Sequence, residues 1–189
     1  RVIHVGCVDH LPLLDGKLAQ GTWLHAHLLA ECERSIGIDI SDDGIEYLRF
    51  LGYDDLFVCD ISRHTLPVIT DHHWDYLLLG EVIEHIDDPT AFLRSIQERY
   101  HGVVDRIIVS TPNAFRLDNF RFATHTAECI NSDHRYWFSP YTLSKAACRA
   151  GITVESVGFA HGTGLPLRPW IRAFYNRFPR VVTGLSGGI

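Results

Sequence analysis

Residues 74–89 read WDYLLLGEVIEHIDDP, and this stretch decides the fold. It opens with a continuous apolar run, which is typical of a strand covered on both faces of a parallel sheet. Two glutamates and a histidine follow at positions 81, 84 and 85. Asp88 and Pro89 then supply an N-cap and a first-turn proline, which predict the start of a helix. The stretch is therefore interpreted as a strand, an acidic loop and a helix, which is the repeating unit of an α/β protein.

The same alternation continues on both sides of this unit. Helices are predicted at 42–51, from Asp88-Pro89 to Gly102 and from Ser139-Pro140 to Gly151, whereas Gly16 and Gly21 interrupt residues 11–30, where one helix is expected. The predicted strands are residues 2–5, 35–40, 55–59, 74–79, 106–110 and 152–159. We expect a single Rossmann-like domain with a doubly wound, mostly parallel sheet.

Composition narrows the class of protein. The chain has 189 residues and five cysteines, an odd number without a C-x-x-C pair, which argues for reduced thiols and a cytoplasmic location and against a zinc ribbon. No apolar run approaches the roughly 20 residues that a membrane span requires. The His residues lack metal-ligand spacing along the chain, so the sequence predicts no metal.

Charge divides the chain into two parts. All 23 acidic residues precede position 161, and residues 161–189 hold four arginines. We therefore predict a domain at 1–160 that is too acidic to bind nucleic acid, followed by a basic C-terminal extension. Residues 169–178 fit a short amphipathic helix. Its apolar face could cover the sheet or a second subunit in a homodimer, or it could contact an anionic membrane surface or a lipid-linked acceptor.

Acidic residues follow several predicted strands. Asp39 ends the second strand, Asp60 follows the third, and Glu81 follows the fourth. Because ligands of open α/β sheets bind at the carboxyl ends of the strands, the loop after Gly6 and these carboxylates are expected at one site. Asp39 is placed to accept hydrogen bonds from both hydroxyls of a ribose.

Six short motifs, taken together and in this order, resemble the class I S-adenosylmethionine-dependent methyltransferases, and within them the small-molecule group with an E-x-x-E-H signature. They are Val5-Gly6-Cys7, Gly37-Ile38-Asp39-Ile40-Ser41, Cys59-Asp60-Ile61, Gly80-Glu81-Val82-Ile83-Glu84-His85-Ile86, Ser110-Thr111-Pro112-Asn113 and His134-Arg135-Tyr136-Trp137-Phe138-Ser139. The resemblance implies S-adenosylmethionine as the cofactor. It implies that Asp39 holds the ribose, that Asp60 lies near the adenine amino group, and that the backbone around Gly6 passes the methionine part. The predicted cofactor-binding set is Gly6, Cys7, Asp39, Ile40, Asp60, Ile61, Gly80 and Glu81.

One motif departs from the family pattern. The family usually has G-x-G-x-G after the first strand, whereas this chain has Val8 and His10 at the second and third glycine positions. A Cβ there is expected to narrow the approach to the cofactor and to disfavour a positive φ. A non-catalytic binding or partner subunit with a degenerate cofactor loop is therefore kept as the alternative function.

The expected reaction is methyl transfer to an oxygen of a small-molecule acceptor. The proton of a hydroxyl acceptor must be removed as the methyl group arrives, and a histidine is matched to that task. His134 and His85 are the candidate catalytic residues. Residues 114–135, rich in aromatic side chains, are expected to form an ordered active-site loop that stacks on a sugar, a quinone or another ring.

The same residues also allow other interpretations. A nicotinamide dehydrogenase requires G-x-G-x-x-G, which is absent after Gly6. Asp39 could instead cap the next helix, Glu81 and Glu84 could form a solvated turn, and the two histidines could be structural.

Overall fold

The computed structural model describes residues 1–159 and 184–186 of the chain. In this part the strands form one sheet in the order β3-β2-β1-β4-β5-β7-β6. The strands β3, β2, β1, β4 and β5 run parallel to one another. The strands are β1 (Val2–Val5), β2 (Ser35–Asp39), β3 (Leu56–Val58), β4 (Trp74–Gly80), β5 (Val104–Ser110), β6 (Thr153–Ser156) and β7 (Gly184–Ser186). The predicted doubly wound, Rossmann-like fold is confirmed.

The order of the parallel strands reverses between β1 and β4. The chain runs from β1 outward through β2 to β3, and then returns to place β4 on the other side of β1. Val5 lies opposite Leu79, so that the loops after both strands begin side by side. Ligands of open α/β sheets bind at this kind of reversal.

The helices cover the sheet and begin at the predicted caps. Asp88 accepts the Ala91 N–H at 2.9 Å, and Ser139 accepts the Thr142 N–H at 3.2 Å within a capping box. None of the helices among the residues described has the length and apolar character needed to cross a membrane. The helices are α1 (Leu11–Gln20), α2 (Leu24–Glu31), α3 (Asp42–Phe50), α4 (Pro67–Thr70), α5 (Pro89–Tyr100), α6 (Leu117–Ala123) and α7 (Pro140–Arg149), with a short 3-10 helix at Ile83–His85.

Two segments differ from the expectation. Residues 11–30 form two helices, because Gly21 takes a left-handed conformation (φ 62°) that ends α1, while Gly16 lies inside that helix. The predicted loop at 114–135 contains a helix, α6.

The C-terminal extension contributes a strand that was not predicted. β7 pairs antiparallel with both β5 and β6, so it lies between two strands that precede it in sequence. The predicted amphipathic helix at 169–178 lies outside the described residues. The division at residue 160 stays a prediction.

A small apolar cluster supports the loop after β1. Cys7, Val8, Leu14, Trp23 and Ile45 are buried together there, and the Trp23 indole N–H donates to the Cys7 carbonyl at 2.8 Å. The larger cluster contains the central strands with α5 and α7. The loop after β1 is thus packed against its own apolar cluster.

Two histidines are buried beside this loop. His4 of β1 is 3% exposed and His25 of α2 is fully buried, with stacked rings and Nδ1 atoms 3.3 Å apart. Burial lowers the pKa of His4 to about 3, with a further decrease from His25, and burial lowers the pKa of His25 to about 4. Both rings are therefore neutral at physiological pH.

Candidate active site

Gly6 makes the turn that ends β1. Its φ is +75°, and a Cβ at this position would lie 2.6 Å from a methyl carbon of Val82. Its N–H donates to the Ile38 carbonyl at 2.8 Å, which joins the loop to β2. A side chain here would be strained and would clash with the loop after β4. Gly6 thus allows the two loops at the strand reversal to approach each other.

Val8 and His10 do not take the positive φ that glycine permits. Neither has a positive φ, which occurs instead at Asp9 (64°). The Val8 side chain is 1% exposed and fills the space above Gly44 of α3. Val8 and His10 thus avoid the positive φ that a Cβ disfavours, and the non-glycine strain lies at Asp9. The effect of the altered loop on cofactor binding stays a prediction. Lys17 forms an ion pair with the Asp9 carboxylate.

Asp39 holds the same loop in place. Its two carboxylate oxygens accept the N–H groups of Val8 and Ser41, each at 3.0 Å. It does not cap α3, because the Ser41 hydroxyl accepts the Gly44 N–H and fills that position. The next residue, Ile40, is 77% exposed, so it offers an apolar surface beside the carboxylate.

The residues after β3 are only partly available to a ligand. Asp60 accepts two hydrogen bonds from Ser62 and forms an ion pair with Arg63. Ile61 is 2% exposed and Cys7 is fully buried, so both side chains belong to the core. Their backbones remain near the predicted cofactor site. We call Gly6–His10, Asp39–Ile40 and Asp60–Ile61 the cofactor side.

Glu81 links the loop after β4 to β5. Its φ is +55°, its N–H donates to the Ser110 carbonyl, and the Ser110 hydroxyl donates to its carboxylate at 3.1 Å. Removal from water and the nearby Glu84 raise the pKa of Glu81. Glu81 is the first carboxylate of the E-x-x-E-H motif and lies between Gly80 and the second, Glu84.

Glu84, His85 and His134 bring their ligand atoms together within 4.8 Å. We call these residues the cation cluster. Glu84 is fully buried, and neither of its carboxylate oxygens has a well-formed hydrogen bond among the residues described. Glu84 is therefore not part of a solvated turn. The two imidazole rings lie nearly perpendicular, with centroids 4.7 Å apart.

The orientation of the histidines is set by the segment before α7. The His85 Nδ1 lies 3.2 Å from the Asp133 carbonyl, which only accepts hydrogen bonds, so Nδ1 is the donor in this contact. The Arg135 N–H donates to the Glu84 carbonyl at 2.8 Å and holds the two segments together. The Nδ1 atom of His134 is buried and has no partner in the described chain.

The electrostatics of the cluster are those of a site that lacks a positive charge. Burial raises the pKa of Glu84 and lowers the pKa of His134, the latter with a smaller contribution from His85. A buried carboxylate without a partner is costly, and both a proton and a cation would relieve the cost. These side chains offer one carboxylate and two imidazoles to such a cation.

The sequence-based prediction of no metal depended on spacing along the chain. Glu84 and His85 are adjacent, but His134 is far from them in sequence. The fold brings all three together because the chain returns to the end of β4 after β5 and α6. Spacing along the chain does not reveal this proximity, and the absence of a metal stays a prediction.

An apolar cleft lies beyond His134. It has a volume of about 580 Å³. We call it the aromatic cleft, and it is lined by Ala114, Phe115, Arg116, Asn119, Phe120, Ala123, Ala127, Glu128, Cys129 and Trp137. The Trp137 ring packs edge-on against His134, with centroids 6.4 Å apart. The cation cluster and the cleft together form what we call the acceptor side.

Comparison with known proteins identifies the family. A family model described as a methyltransferase domain matches residues 16–157, which is most of the chain. The chain belongs to this methyltransferase family. The matched region includes the motifs from Asp39 to the acceptor side. A search of curated protein sequences gave no match.

Several solved structures share the fold of this methyltransferase domain. A putative S-adenosylmethionine-dependent methyltransferase from Listeria monocytogenes aligns over 100% of this chain and 90% of its own, with a TM-score of 0.58 and 13% identity. One from Clostridium acetobutylicum aligns over 100% and 84%, with a TM-score of 0.56 and 8% identity. The small RNA methyltransferase HEN1 aligns over 98% of this chain, with a TM-score of 0.59 and 20% identity, but this chain spans only 22% of HEN1.

The family assignment confirms the fold class and the cofactor, S-adenosylmethionine. The protein is a methyltransferase by family, as the sequence motifs indicated. The roles of individual cofactor-binding and catalytic residues stay predictions.

Proposed function

We propose that this methyltransferase domain transfers the methyl group of S-adenosylmethionine to a hydroxyl oxygen of a small-molecule acceptor, which binds beside a divalent cation held by Glu84 and His85, with His134 as the general base. The observation that carries the proposal is the fully buried Glu84 carboxylate, whose contacts with Thr111 and Glu81 fall short of well-formed hydrogen bonds among the described residues and which lies within reach of two imidazoles. Mixed carboxylate and imidazole ligands suit divalent first-row metals such as Mn²⁺ or Zn²⁺.

The chain's own residues divide the task between them. The sulfonium of the cofactor already carries its leaving group, so the protein needs to align the two reactants and remove one proton. A divalent cation would supply charge that lowers the pKa of the acceptor hydroxyl and fixes its oxygen. Glu84 would balance that charge, and the Asp133 carbonyl would keep the Nε2 of His85 turned toward it. His134 would accept the hydroxyl proton.

The cofactor would bind across the strand reversal. Gly6 lets the backbone approach the methionine part, and Asp39 retains unused lone pairs for the ribose hydroxyls. Ile40 supplies an apolar surface for the adenine, while Asp60 lies near its amino group. Cys7, Ile61, Gly80 and Glu81 contribute backbone to the same site. The location is proposed as cytoplasmic, consistent with five cysteines that form no disulfide.

RNA is a second candidate acceptor. The supporting observation is the similarity to the small RNA methyltransferase HEN1. The small-molecule acceptor is favoured because all 23 acidic residues of the chain lie before residue 161, which disfavours phosphate contacts on the domain. The putative methyltransferase in complex with the Haloferax volcanii Trm112 methyltransferase activator has a similar fold, and on that basis a partner protein is a further candidate for this domain.

Calorimetry with S-adenosylmethionine and its demethylated product tests the cofactor half of the proposal. Binding of both compounds is expected. Absence of both would favour the alternative of a non-catalytic partner subunit with a degenerate loop.

Titration with Mn²⁺ tests the cation half. The parent should bind one Mn²⁺, and Glu84→Gln should lose this site because the amide has no charge to balance the cation. Glu98→Gln, on the exposed face of α5, is the matched control and should bind as the parent does. Equal Mn²⁺ affinity in Glu84→Gln and the parent would rule out the cluster.

A further inference from the structure

Two of the aromatic rings that line the aromatic cleft are not part of the hydrophobic core. Phe115 is 73% exposed and Phe120 is 70% exposed, although both are large apolar rings. They face the same cleft as Trp137, and three alanines leave room between the rings. Contiguous exposed apolar surface of this kind often marks a binding site.

The backbone holds the aromatic cleft beside the cation cluster. The Ala114 N–H donates to the Phe138 carbonyl at 2.8 Å, and Asn113 and Phe138 form an isolated bridge. The segments that carry Phe115 and Trp137 are thereby joined. Since Trp137 also contacts His134, a molecule in the cleft would lie directly beside the cation cluster.

The chemistry of the lining restricts the occupant. The amide of Asn119 already donates to the Ala114 carbonyl at 3.1 Å, so this amide group is committed within the protein. The two charged residues of the lining, Arg116 and Glu128, have opposite signs, which gives no net positive charge for a phosphate chain. The rest of the lining is mostly ring surface and small apolar side chains, around a cleft of about 580 Å³.

We infer that the aromatic cleft binds the ring system of an aromatic acceptor, and that the hydroxyl of this ring is presented to the cation cluster. The inference rests on the proposed function and names its acceptor class. Aromatic rings pack on Phe and Trp in stacked or edge-on geometry, which the perpendicular Trp137 and His134 rings already show. A phenol-type hydroxyl on a ring in the cleft needs no further polar contact there.

Binding of 2-naphthol, measured by calorimetry with a chelator present, tests the inference without cation or turnover. The parent should bind it, and Phe120→Ala should weaken the binding by about tenfold, because one wall of the cleft is removed. Phe50→Ala is the matched control, since Phe50 is 83% exposed on α3 and away from the cleft, and it should leave the affinity unchanged. Unchanged melting temperatures would show that both variants fold.

Three results would overturn the inference. The first is no binding of 2-naphthol to the parent, and the second is equal affinity in Phe120→Ala. The third is equal or tighter binding of the saturated analogue decahydro-2-naphthol, of methyl glucoside or of a short RNA. Mn²⁺ titration of the same variants distinguishes this failure from failure of the proposed function, because Phe120→Ala should keep the cation site whatever the cleft binds.

Discussion

The cofactor side and the acceptor side differ in how many of their polar groups are already paired. On the cofactor side, Asp39 accepts two backbone N–H groups, Asp60 is bonded to Ser62 and Arg63, and Asp9 is paired with Lys17. On the acceptor side, one nitrogen of His134 lacks a partner within the described chain, and the buried Glu84 carboxylate has only weak contacts with Thr111 and Glu81. One side is held by the protein itself, and the other is left for something else to complete.

This difference distinguishes two kinds of binding site. The cofactor has the same shape whatever the acceptor, so a rigid loop can bind it. An unpaired buried carboxylate costs stability and persists only where it has a function. The unpaired groups therefore indicate where the chemistry occurs.

His134→Ala is expected to give the largest effect and would sharpen the comparison. Turnover should fall by roughly 100-fold or more, the usual scale for a general base, while the affinity for S-adenosylmethionine stays the same. The readout is formation of the demethylated cofactor with a hydroxylated aromatic acceptor. His101→Ala, on an exposed residue at the end of α5, serves as control. Turnover within a few-fold of the parent would leave His85 or alignment alone to carry the reaction.

Asp39→Asn tests the cofactor side. The amide oxygen can still accept one backbone N–H, but the negative charge that strengthens hydrogen bonds from the ribose is lost. Cofactor affinity should fall by about 2 kcal/mol, or roughly 30-fold. Asp39→Ala should also lower the melting temperature, because the N–H groups of Val8 and Ser41 lose their acceptor. Asp43→Asn, in the exposed first turn of α3, should change neither quantity.

Acid should destabilise the support of the cofactor side. The folded pKa values of His4 and His25, about 3 and about 4, are below that of an unfolded histidine, so the unfolded state binds more protons at mildly acidic pH. Their contribution to stability is present above about pH 6.5 and decreases as the pH falls, by about 1.4 kcal/mol per pH unit for each ring. Urea unfolding between pH 7 and pH 5 measures the slope.

The charges facing this pair define the control. Asp9 raises the pKa of His4 slightly, and the neighbouring Cys7 thiol stays neutral because burial raises its pKa. His25→Leu should therefore reduce the acid-dependent slope by about half. An unchanged slope would show that other groups govern the acid response.

The sequence predicted those features that depend on local signals. The apolar run of β4 and the caps at Asp88 and Ser139 are read from neighbouring residues, and the structure confirms them. The positive φ at Asp9 and the burial of Val8 could not be predicted, since both depend on how the loop packs on α3. The sequence did not predict the cation cluster, because His134 lies close to Glu84 only in the folded chain.

The position of β7 has a consequence for synthesis. On the ribosome, β6 emerges before β7, yet among the described strands β6 pairs only with β7, which in turn pairs with β5. Until residues 184–186 are translated, the nascent chain has an open edge at β5, with unpaired N–H and C=O groups beside the apolar Ile107 and Val109. Open edges of this kind invite pairing with other chains. Truncation of the chain before residue 184 would therefore threaten solubility before it affected any residue of the site.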